Sequence, residues 1–252
     1  MRREPVKWCQ KNVKQCSLKL VDLLDLPVQY WLLVLTRVCF SSMIWALMGN
    51  VSKFVTDKYG YPESSEVPSY FAGIFFGISA FGCFMAGKIM DRIGCSGIIT
   101  SMSMVGCLTT LALLAFSFFP PLVCAIILSL FYSFAAVSVI ACISLTVPKS
   151  TIGTAVGITL TVEMCFTALS NVVIGRILGT EQTIPDDLGL YRWRWVIIYT
   201  MGLTACALGF SLVANYCDFR MGWGLNKRNE ITEKQYTKEG FQQLPYDDID
   251  DA

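Results

Sequence analysis

The sequence predicts an all-α integral membrane protein with six transmembrane helices. Of the 252 residues, 54% are hydrophobic and 15% are charged, and the mean hydropathy is positive, which lies outside the range of ordinary globular domains. The apolar residues are gathered in six long runs. Each run reaches the length of about 20 residues that a helix needs to cross the hydrocarbon core.

Proline residues separate these runs, since a helix starts at proline or does not continue through it. Pro27 and Pro68 stand at the start of the first two runs, and Pro148 precedes the fifth. The pair Pro120-Pro121 divides the third run from the fourth, so these two spans must form an antiparallel hairpin. We predict spans over residues 28–49, 68–89, 97–118, 121–146, 153–178 and 193–216.

Polar tails flank the predicted bundle of residues 28–216. Residues 1–27 carry six Lys and Arg and lack the apolar core and cleavage site of a secretory signal, so we predict a basic cytosolic tail or linker. Residues 217–252 become charged and lose apolar periodicity from about Met221, so we predict a disordered cytosolic tail.

The distribution of Lys and Arg predicts that both termini are cytosolic. With that orientation, the cytosolic tails and loops carry fourteen of these residues and the opposite loops carry five, as the positive-inside rule requires. Aromatic residues that anchor helices at membrane interfaces also lie near the predicted span ends, namely Tyr30, Trp31, Tyr191, Trp193, Trp195 and Tyr216.

The composition argues against several functional classes. A formal net charge of +1 gives no reason to expect a nucleic acid partner, whereas the apolar runs require a lipid membrane. The chain has no histidine, and most of its eleven cysteines lie within apolar runs without metal-ligand spacing. We therefore predict no disulfide framework, no metal site, no cofactor and no enzymatic activity.

Two ionisable residues interrupt the apolar runs at depth. Arg37 lies nine residues into the first span and Glu163 ten residues into the fifth. Because both spans start at the same surface, a rise of about 1.5 Å per residue puts both side chains near the midplane. A lone charge there costs at least about 2.5–3.5 kcal/mol, which favours a partner or a wet cavity. We predict a direct Arg37–Glu163 pair.

Glu163 belongs to a polar stripe on the fifth span. Thr159, Glu163, Thr167 and Asn171 recur every four residues, a spacing that puts them on one helical face. Tyr132 adds a polar group to the fourth span. With Arg37, these are the predicted substrate-binding residues, facing a water-filled path. The alternative is that the charged pair only locks the helices together while Ser and Thr bond to the backbone.

Pairs of small residues at a spacing of four predict points of close helix packing. They are Gly73 with Gly77 in the second span, and Gly153 with Gly157 and Gly175 with Gly179 at the two ends of the fifth.

Two short motifs outside the predicted spans suggest modification and sorting. Asn50-Val51-Ser52 is a glycosylation sequon in the predicted lumenal loop next to the first span. In the C-terminal tail, Tyr246-Asp247-Asp248-Ile249 has the tyrosine-x-x-bulky-apolar pattern that clathrin adaptors read. Tyr246 and Ile249 are therefore predicted endosomal and lysosomal sorting residues.

A charged turn joins the second and third predicted spans. Its sequence is Gly87-Lys88-Ile89-Met90-Asp91-Arg92-Ile93-Gly94, and we expect it to form a tight loop at the membrane surface. A Gly-x-x-x-Asp-Arg-x-Gly loop between two spans, together with the segment from Val147 to Gly157, resembles the C-terminal half of a major facilitator superfamily transporter. The resemblance implies the six-helix half of that fold.

More narrowly, residues 30–35, 56–61 and 148–179 resemble a subfamily of lysosomal dipeptide transporters. That resemblance implies a small-molecule substrate, such as a dipeptide or a similar zwitterion, and a lysosomal or endosomal membrane. It also implies a heavily glycosylated single-pass accessory protein as a candidate partner.

In the superfamily the charged loop has a gating role, which the resemblance carries over to Gly87, Asp91, Arg92 and Gly94. It implies that Asp91 faces the cytosolic end of the helix starting near Gly153, whose free N–H groups favour a negative charge. This sequence departs from the pattern, because Lys149 replaces an acidic residue and Cys95 a basic one. We therefore expect the gate contact to be weaker or rearranged.

Superfamily members have two six-span halves that hold the substrate between them, and this sequence supplies one. Three explanations stay open, with the first preferred: an incomplete gene model, a shortened isoform, or a half-transporter that pairs with itself or with a separate N-terminal six-helix half.

The function we predict is secondary transport of dipeptides across the lysosomal membrane by alternating access. In this prediction Arg37 meets a substrate carboxylate, and Glu163 meets an amine or a coupling proton. The rival prediction is a non-transporting half-transporter, or a regulatory membrane protein, that pairs with a full-length transporter.

Overall fold

A computed structural model of the protein describes residues 27–62, 66–147, 151–179, 186–221 and Leu225. These residues form six helices: α1 (Val28–Tyr59), α2 (Val67–Ile93), α3 (Ser96–Phe116), α4 (Pro121–Thr146), α5 (Ile152–Leu178) and α6 (Asp186–Met221). The described ranges contain no strand, and all six helices are long and apolar enough to cross a membrane. The predicted all-α class with six spanning helices is therefore confirmed.

Several helices extend beyond the spans predicted for them. α1 passes residue 49 and runs to Tyr59, because Phe54 and Val55 are apolar and remain buried against the bundle. It ends where Gly60 takes a left-handed conformation (φ 68°) and donates its N–H to the Thr56 carbonyl. α6 runs from residue 186 to residue 221, so residues 217–221 are helical and not part of a disordered tail. Residues 1–26 and most of the C-terminal tail lie outside the described ranges.

α1 and α4 are the two central helices of the bundle. α1 packs along α6 and α5, and α4 packs along α3 and α2. Exchanging α1 with α4, α2 with α5 and α3 with α6 gives nearly the same set of contacting helix pairs. This is the packing that a three-plus-three internal repeat produces.

α2 and α5, which hold equivalent places in this repeat, are the least buried helices. Phe81 and Phe84 on α2, and Leu169 and Val172 on α5, are each more than three-fifths exposed. α5 buries few side chains, and two of them are the polar Thr159 and Glu163. The site that contains these two residues therefore lies on a helix with one unpacked face.

Close helix packing occurs at different glycines from those predicted. A Cβ atom added at Gly73, Gly77, Gly153, Gly157 or Gly175 would have no atom of another described element within 4 Å. A Cβ at Gly82 would lie 2.5 Å from Ser133 Oγ across the α2–α4 contact, and one at Gly106 would lie 2.4 Å from the Phe131 ring across the α3–α4 contact. The packing prediction for the glycine pairs was wrong for these five residues, because small-residue spacing does not specify which side of a helix meets a neighbour.

Candidate functional site

A buried ion pair joins α1 to α5. Arg37 Nε donates to Glu163 Oε2 at 2.9 Å, and Arg37 Nη2 donates to Glu163 Oε1 at 3.4 Å. The pair is well shielded, since Arg37 is 7% exposed and Glu163 is 1% exposed. Among the described residues this is the one salt bridge. The predicted contact between these two side chains is confirmed, and their role towards a substrate stays a prediction.

The guanidinium group also connects to a third helix. Arg37 Nη1 donates to the Ala136 carbonyl of α4 at 3.4 Å. α4 and α5 contact each other little, so Arg37 bridges the space between them. The planar fork of five N–H donors makes this possible, because one edge can bind a carboxylate while another donor reaches elsewhere.

Below the ion pair, towards the predicted cytosolic side, a second contact joins the same two helices. The Tyr30 hydroxyl donates to the Ala155 carbonyl at 3.0 Å and lies 3.4 Å from Thr159 Oγ1. Thr159 itself donates to Ala155 at 2.9 Å. Tyr30 is fully buried. The prediction that it anchors the helix at the membrane surface was therefore wrong.

Above the ion pair, two buried hydroxyl groups have no hydrogen-bond partner among the described residues. They belong to Ser41, one turn beyond Arg37 on α1, and Thr167, one turn beyond Glu163 on α5. Most Ser and Thr side chains in these helices donate to the carbonyl three or four residues earlier, so two unbonded hydroxyls beside the charged pair are unusual here.

The rest of the predicted polar stripe is only partly inside the bundle. Thr159 and Glu163 are buried, Thr167 is half-buried and Asn171 is exposed. Tyr132, one turn before Ala136 on α4, is half-buried. Its ring stacks on Phe40 at a centroid distance of 5.7 Å and packs on Phe75 at 5.4 Å. The structure thus collects the buried stripe residues with Arg37, whereas Asn171 lies on the open part of α5.

The predicted charged loop is mostly helical. α2 continues through Asp91 and Arg92 to Ile93, so Gly87 lies inside the helix, and only Gly94 and Cys95, both with positive φ, form the turn. Within the helix, the backbone N–H and C=O groups of these residues bond to one another. Charged side chains at a membrane surface do not prevent this. Asp91 and Arg92 are exposed and make no hydrogen bond or ion pair with a described residue. The implied contact of Asp91 with the start of α5 is absent among the described residues, and the gating role stays a prediction.

The remaining predicted site residues divide into two groups. Asn50 lies inside α1 rather than in a loop, and its amide donates to the Ala46 carbonyl at 3.0 Å, so the predicted loop position was wrong. Its glycosylation stays a prediction. Tyr246 and Ile249 lie outside the described residues. Within the described ranges, no group of three His, Cys, Asp or Glu residues is arranged to hold a metal ion.

Sequence reasoning missed two features of this site: the Tyr30 contact and the Ala136 carbonyl. Both join residues far apart in the chain, and neither belongs to a repeated pattern within one helix. The residue numbers contained a clue. Tyr30 and Ala155 are 125 residues apart, and Arg37 and Glu163 are 126 residues apart, on two helices that start at the same side.

Residues 1–171 match the family model described as Major Facilitator Superfamily. Over 164 residues the chain is 29% identical to the lysosomal dipeptide transporter MFSD1 of Bos taurus and 27% identical to that of Homo sapiens, covering 65% of this chain and 35% of each relative. The Gallus gallus protein is 25% identical, with 37% of its length covered. The match thus spans about a third of the length of these relatives.

Proposed function

Because this chain belongs to the major facilitator superfamily, we propose that it forms part of a secondary transporter. The solute is a dipeptide or a similar small zwitterion, carried across the lysosomal membrane by alternating access. The similarity to lysosomal dipeptide transporters supports the substrate class and the location. The buried Arg37–Glu163 pair is the observation that carries the site assignment.

The chemistry of the pair fits a zwitterion. The Arg37 fork can bind a substrate carboxylate with two parallel hydrogen bonds, and Glu163 can accept from a substrate ammonium group or take up a coupling proton. A zwitterion inserted between them satisfies both charges, so neither remains unpaired in a low-dielectric environment. The resting ion pair then stands in for the substrate and lowers the cost of the unloaded state.

Neighbouring side chains complete the proposed binding face. The hydroxyls of Ser41 and Thr167 can bond the polar backbone of a bound dipeptide, and the Tyr132 ring offers an apolar surface for its side chain. Thr159 and Asn171 extend the same face of α5 towards the two membrane surfaces. In this arrangement Gly87, Asp91, Arg92 and Gly94 bias access from the cytosolic side.

A second six-helix unit completes the transporter in this proposal. The unpacked faces of α2 and α5 support it, as does the length of the relatives, which is well beyond the matched segment. An N-terminal half of the superfamily type fits these faces, and a glycosylated single-pass accessory protein is the further proposed partner. Both termini are cytosolic, and Tyr246 and Ile249 direct the protein to lysosomes.

The test separates substrate binding from helix locking by reversing the pair. Arg37→Glu or Glu163→Arg alone leaves two like charges buried together, so we expect little folded protein, because breaking a buried pair costs about 3–5 kcal/mol. The double variant restores a neutral pair and should restore the folded amount. We expect it to leave uptake of a labelled neutral dipeptide near background, because both charges face the wrong ends of the substrate.

Glu66→Gln is the matched control, because Glu66 is exposed just before α2 and its carboxylate accepts a hydrogen bond only from Tyr70 among the described residues. It should transport like the wild type, whereas Glu163→Gln at a normal membrane level should abolish uptake. Wild-type uptake by the charge-reversed double variant would show that the pair only locks the helices together.

The alternative function is a non-transporting half that regulates a full-length transporter. The Asp91 side chain makes no hydrogen bond or ion pair with a described residue, and this favours the alternative because the gate contact implied by the resemblance is missing among those residues. In that case the purified chain shows no dipeptide-dependent thermal stabilisation and co-purifies with an intact transporter whose uptake rate it changes.

A further inference from the structure

A cavity of about 210 Å³ opens where α1 and α3 end and α6 begins. This is the predicted lumenal end of the bundle. Arg37 and Lys58 are 21 residues apart on α1, or roughly 30 Å at 1.5 Å per residue, so the cavity is separate from the ion pair. Its walls are made by residues of α1, the α3–α4 turn and α6: Phe54, Lys58, residues 115–118, Trp193, Arg194 and Ile197.

One of the two cations in the cavity wall is held firmly in place. Lys58 Nζ donates to the carbonyls of Leu114, Ala115 and Ser117, at 3.4 Å to Ala115 and 2.9 Å to Ser117. These carbonyls close α3, where the helix dipole favours a positive charge. The ammonium group also lies 5.5–5.8 Å from three ring centroids, those of Phe54, Tyr59 and Phe118.

The other cation, Arg194, is not paired with any residue that the structure describes. Arg194 is exposed at the cavity mouth and makes no hydrogen bond or ion pair with a described residue. Among the described residues, no acidic side chain lines the cavity. Asp57 accepts a hydrogen bond from Trp193 Nε1 at 2.7 Å and lies outside the lining. The described part of the lining therefore carries two positive charges and no negative one.

The surface around the mouth is that of a membrane interface. Phe116 and Phe118 are 73% and 78% exposed, and Tyr191 and Trp195 on α6 are 56% and 49% exposed. Aromatic side chains of this kind collect at the level of the lipid headgroups. A ligand that enters here meets cations at one end and exposed apolar rings at the other.

We propose that this cavity binds the phosphate headgroup of an anionic membrane phospholipid. Arg194 binds the phosphate oxygens through its fork, and Lys58 adds the second positive charge from the wall. The acyl chains lie along the exposed rings of Phe116 and Phe118. Basic pockets between transmembrane helices on the cytosolic or matrix side bind anionic headgroups through contacts of this kind.

The test measures which lipids stay bound to the purified full chain. The protein is reconstituted in nanodiscs of phosphatidylcholine alone and of an equal mixture with phosphatidylglycerol, and the retained lipid is identified by native mass spectrometry. We expect the wild type to retain phosphatidylglycerol. Arg194→Gln should lower its occupancy about fivefold or more, as expected for one basic residue at a membrane surface. Ala115→Leu, which fills the cavity without changing charge, should do the same.

Arg176→Gln is the matched control, because Arg176 is exposed at the same end of the bundle and does not line the cavity. It should retain phosphatidylglycerol like the wild type. Equal loss in Arg176→Gln and Arg194→Gln would overturn the proposal in favour of diffuse surface charge. Equal retention of phosphatidylcholine would reduce the cavity to an apolar groove. Full displacement by soluble glycerol phosphate would assign it to a free anion instead of a lipid.

Discussion

Arg37 and Glu163 carry opposite charges within the spanning part of the bundle, and each charge stabilises the other. Their separation of 2.9 Å and their burial make them a closed pair when no substrate is bound. The unbonded hydroxyls of Ser41 and Thr167 stand one turn further along the same helices. A buried hydroxyl without a partner costs about 1–3 kcal/mol, so keeping two of them beside a charged pair suits a site that binds polar groups.

We expect Ser41→Ala to weaken transport without weakening the fold. The Ser41 hydroxyl bonds no described residue, so its removal should leave the free energy of unfolding unchanged or raise it by about 1 kcal/mol. Loss of one hydrogen bond to the substrate should raise the KM for dipeptide uptake about fivefold. The control is Ser42→Ala, whose hydroxyl already donates to the Cys39 carbonyl at 3.1 Å. An equal KM for both variants would contradict a substrate-binding role for Ser41.

For individual residues, the sequence predicted the pairing of charges at membrane depth. It did not predict contacts that depend on how the helices pack. A charge at depth requires a partner, so the two interrupting charges could be paired from their depth alone. The contact of Tyr30 with Ala155 was not predicted, because a tyrosine near a span end is equally compatible with the lipid surface and the bundle interior.

At the scale of the helices, the apolar runs predicted the number of spans but not where each helix ends. Hydrocarbon thickness sets the shortest spanning helix, whereas tertiary contacts and left-handed residues such as Gly60 set the actual ends. The same holds for the charged motif at the end of α2, which continues the helix to a turn of two residues. The composition of the chain indicates where the membrane boundary lies. A helix continues past that boundary when its end packs on protein.

Helix packing supplies a sharp prediction at Gly82. A Cβ there would lie 2.8 Å from Ser133 Cβ, an atom fixed to the α4 backbone, so Gly82→Ala should push α2 away from α4. The expected loss is about 1–3 kcal/mol, measured as a lower denaturation midpoint in detergent. Gly77→Ala, five residues earlier on α2 and facing open space, should be neutral or slightly stabilising because alanine favours the helix. Equal midpoints for the two variants would contradict the α2–α4 contact described here.

For the molecule as a whole, the three-plus-three packing leaves two equivalent helices with unpacked faces. α2 and α5 are equivalent by the exchange of the two three-helix units, and both present apolar side chains and unpacked glycines outwards. In a single half of a two-half transporter, such equivalent faces would meet the other half around the central site. The site at Arg37 then lies beside one of these faces, on the inner side of α5.

Large residues at the unpacked glycines should therefore block assembly while leaving the bundle folded. A Cβ atom at Gly157 on α5 would have no described residue within 4 Å, so the thermal stability of Gly157→Phe should match the wild type. If a second six-helix unit covers α5, the added ring should keep that unit away. The tagged chain, extracted in lipid particles, should then fall from a larger complex to its own mass of 28.0 kDa. Gly209→Phe on α6, also in open space but on a helix outside the proposed interface, should keep the complex. A complex of unchanged mass in Gly157→Phe, or a wild type already at 28.0 kDa, would mean that α5 faces lipid and that the site works without a partner unit.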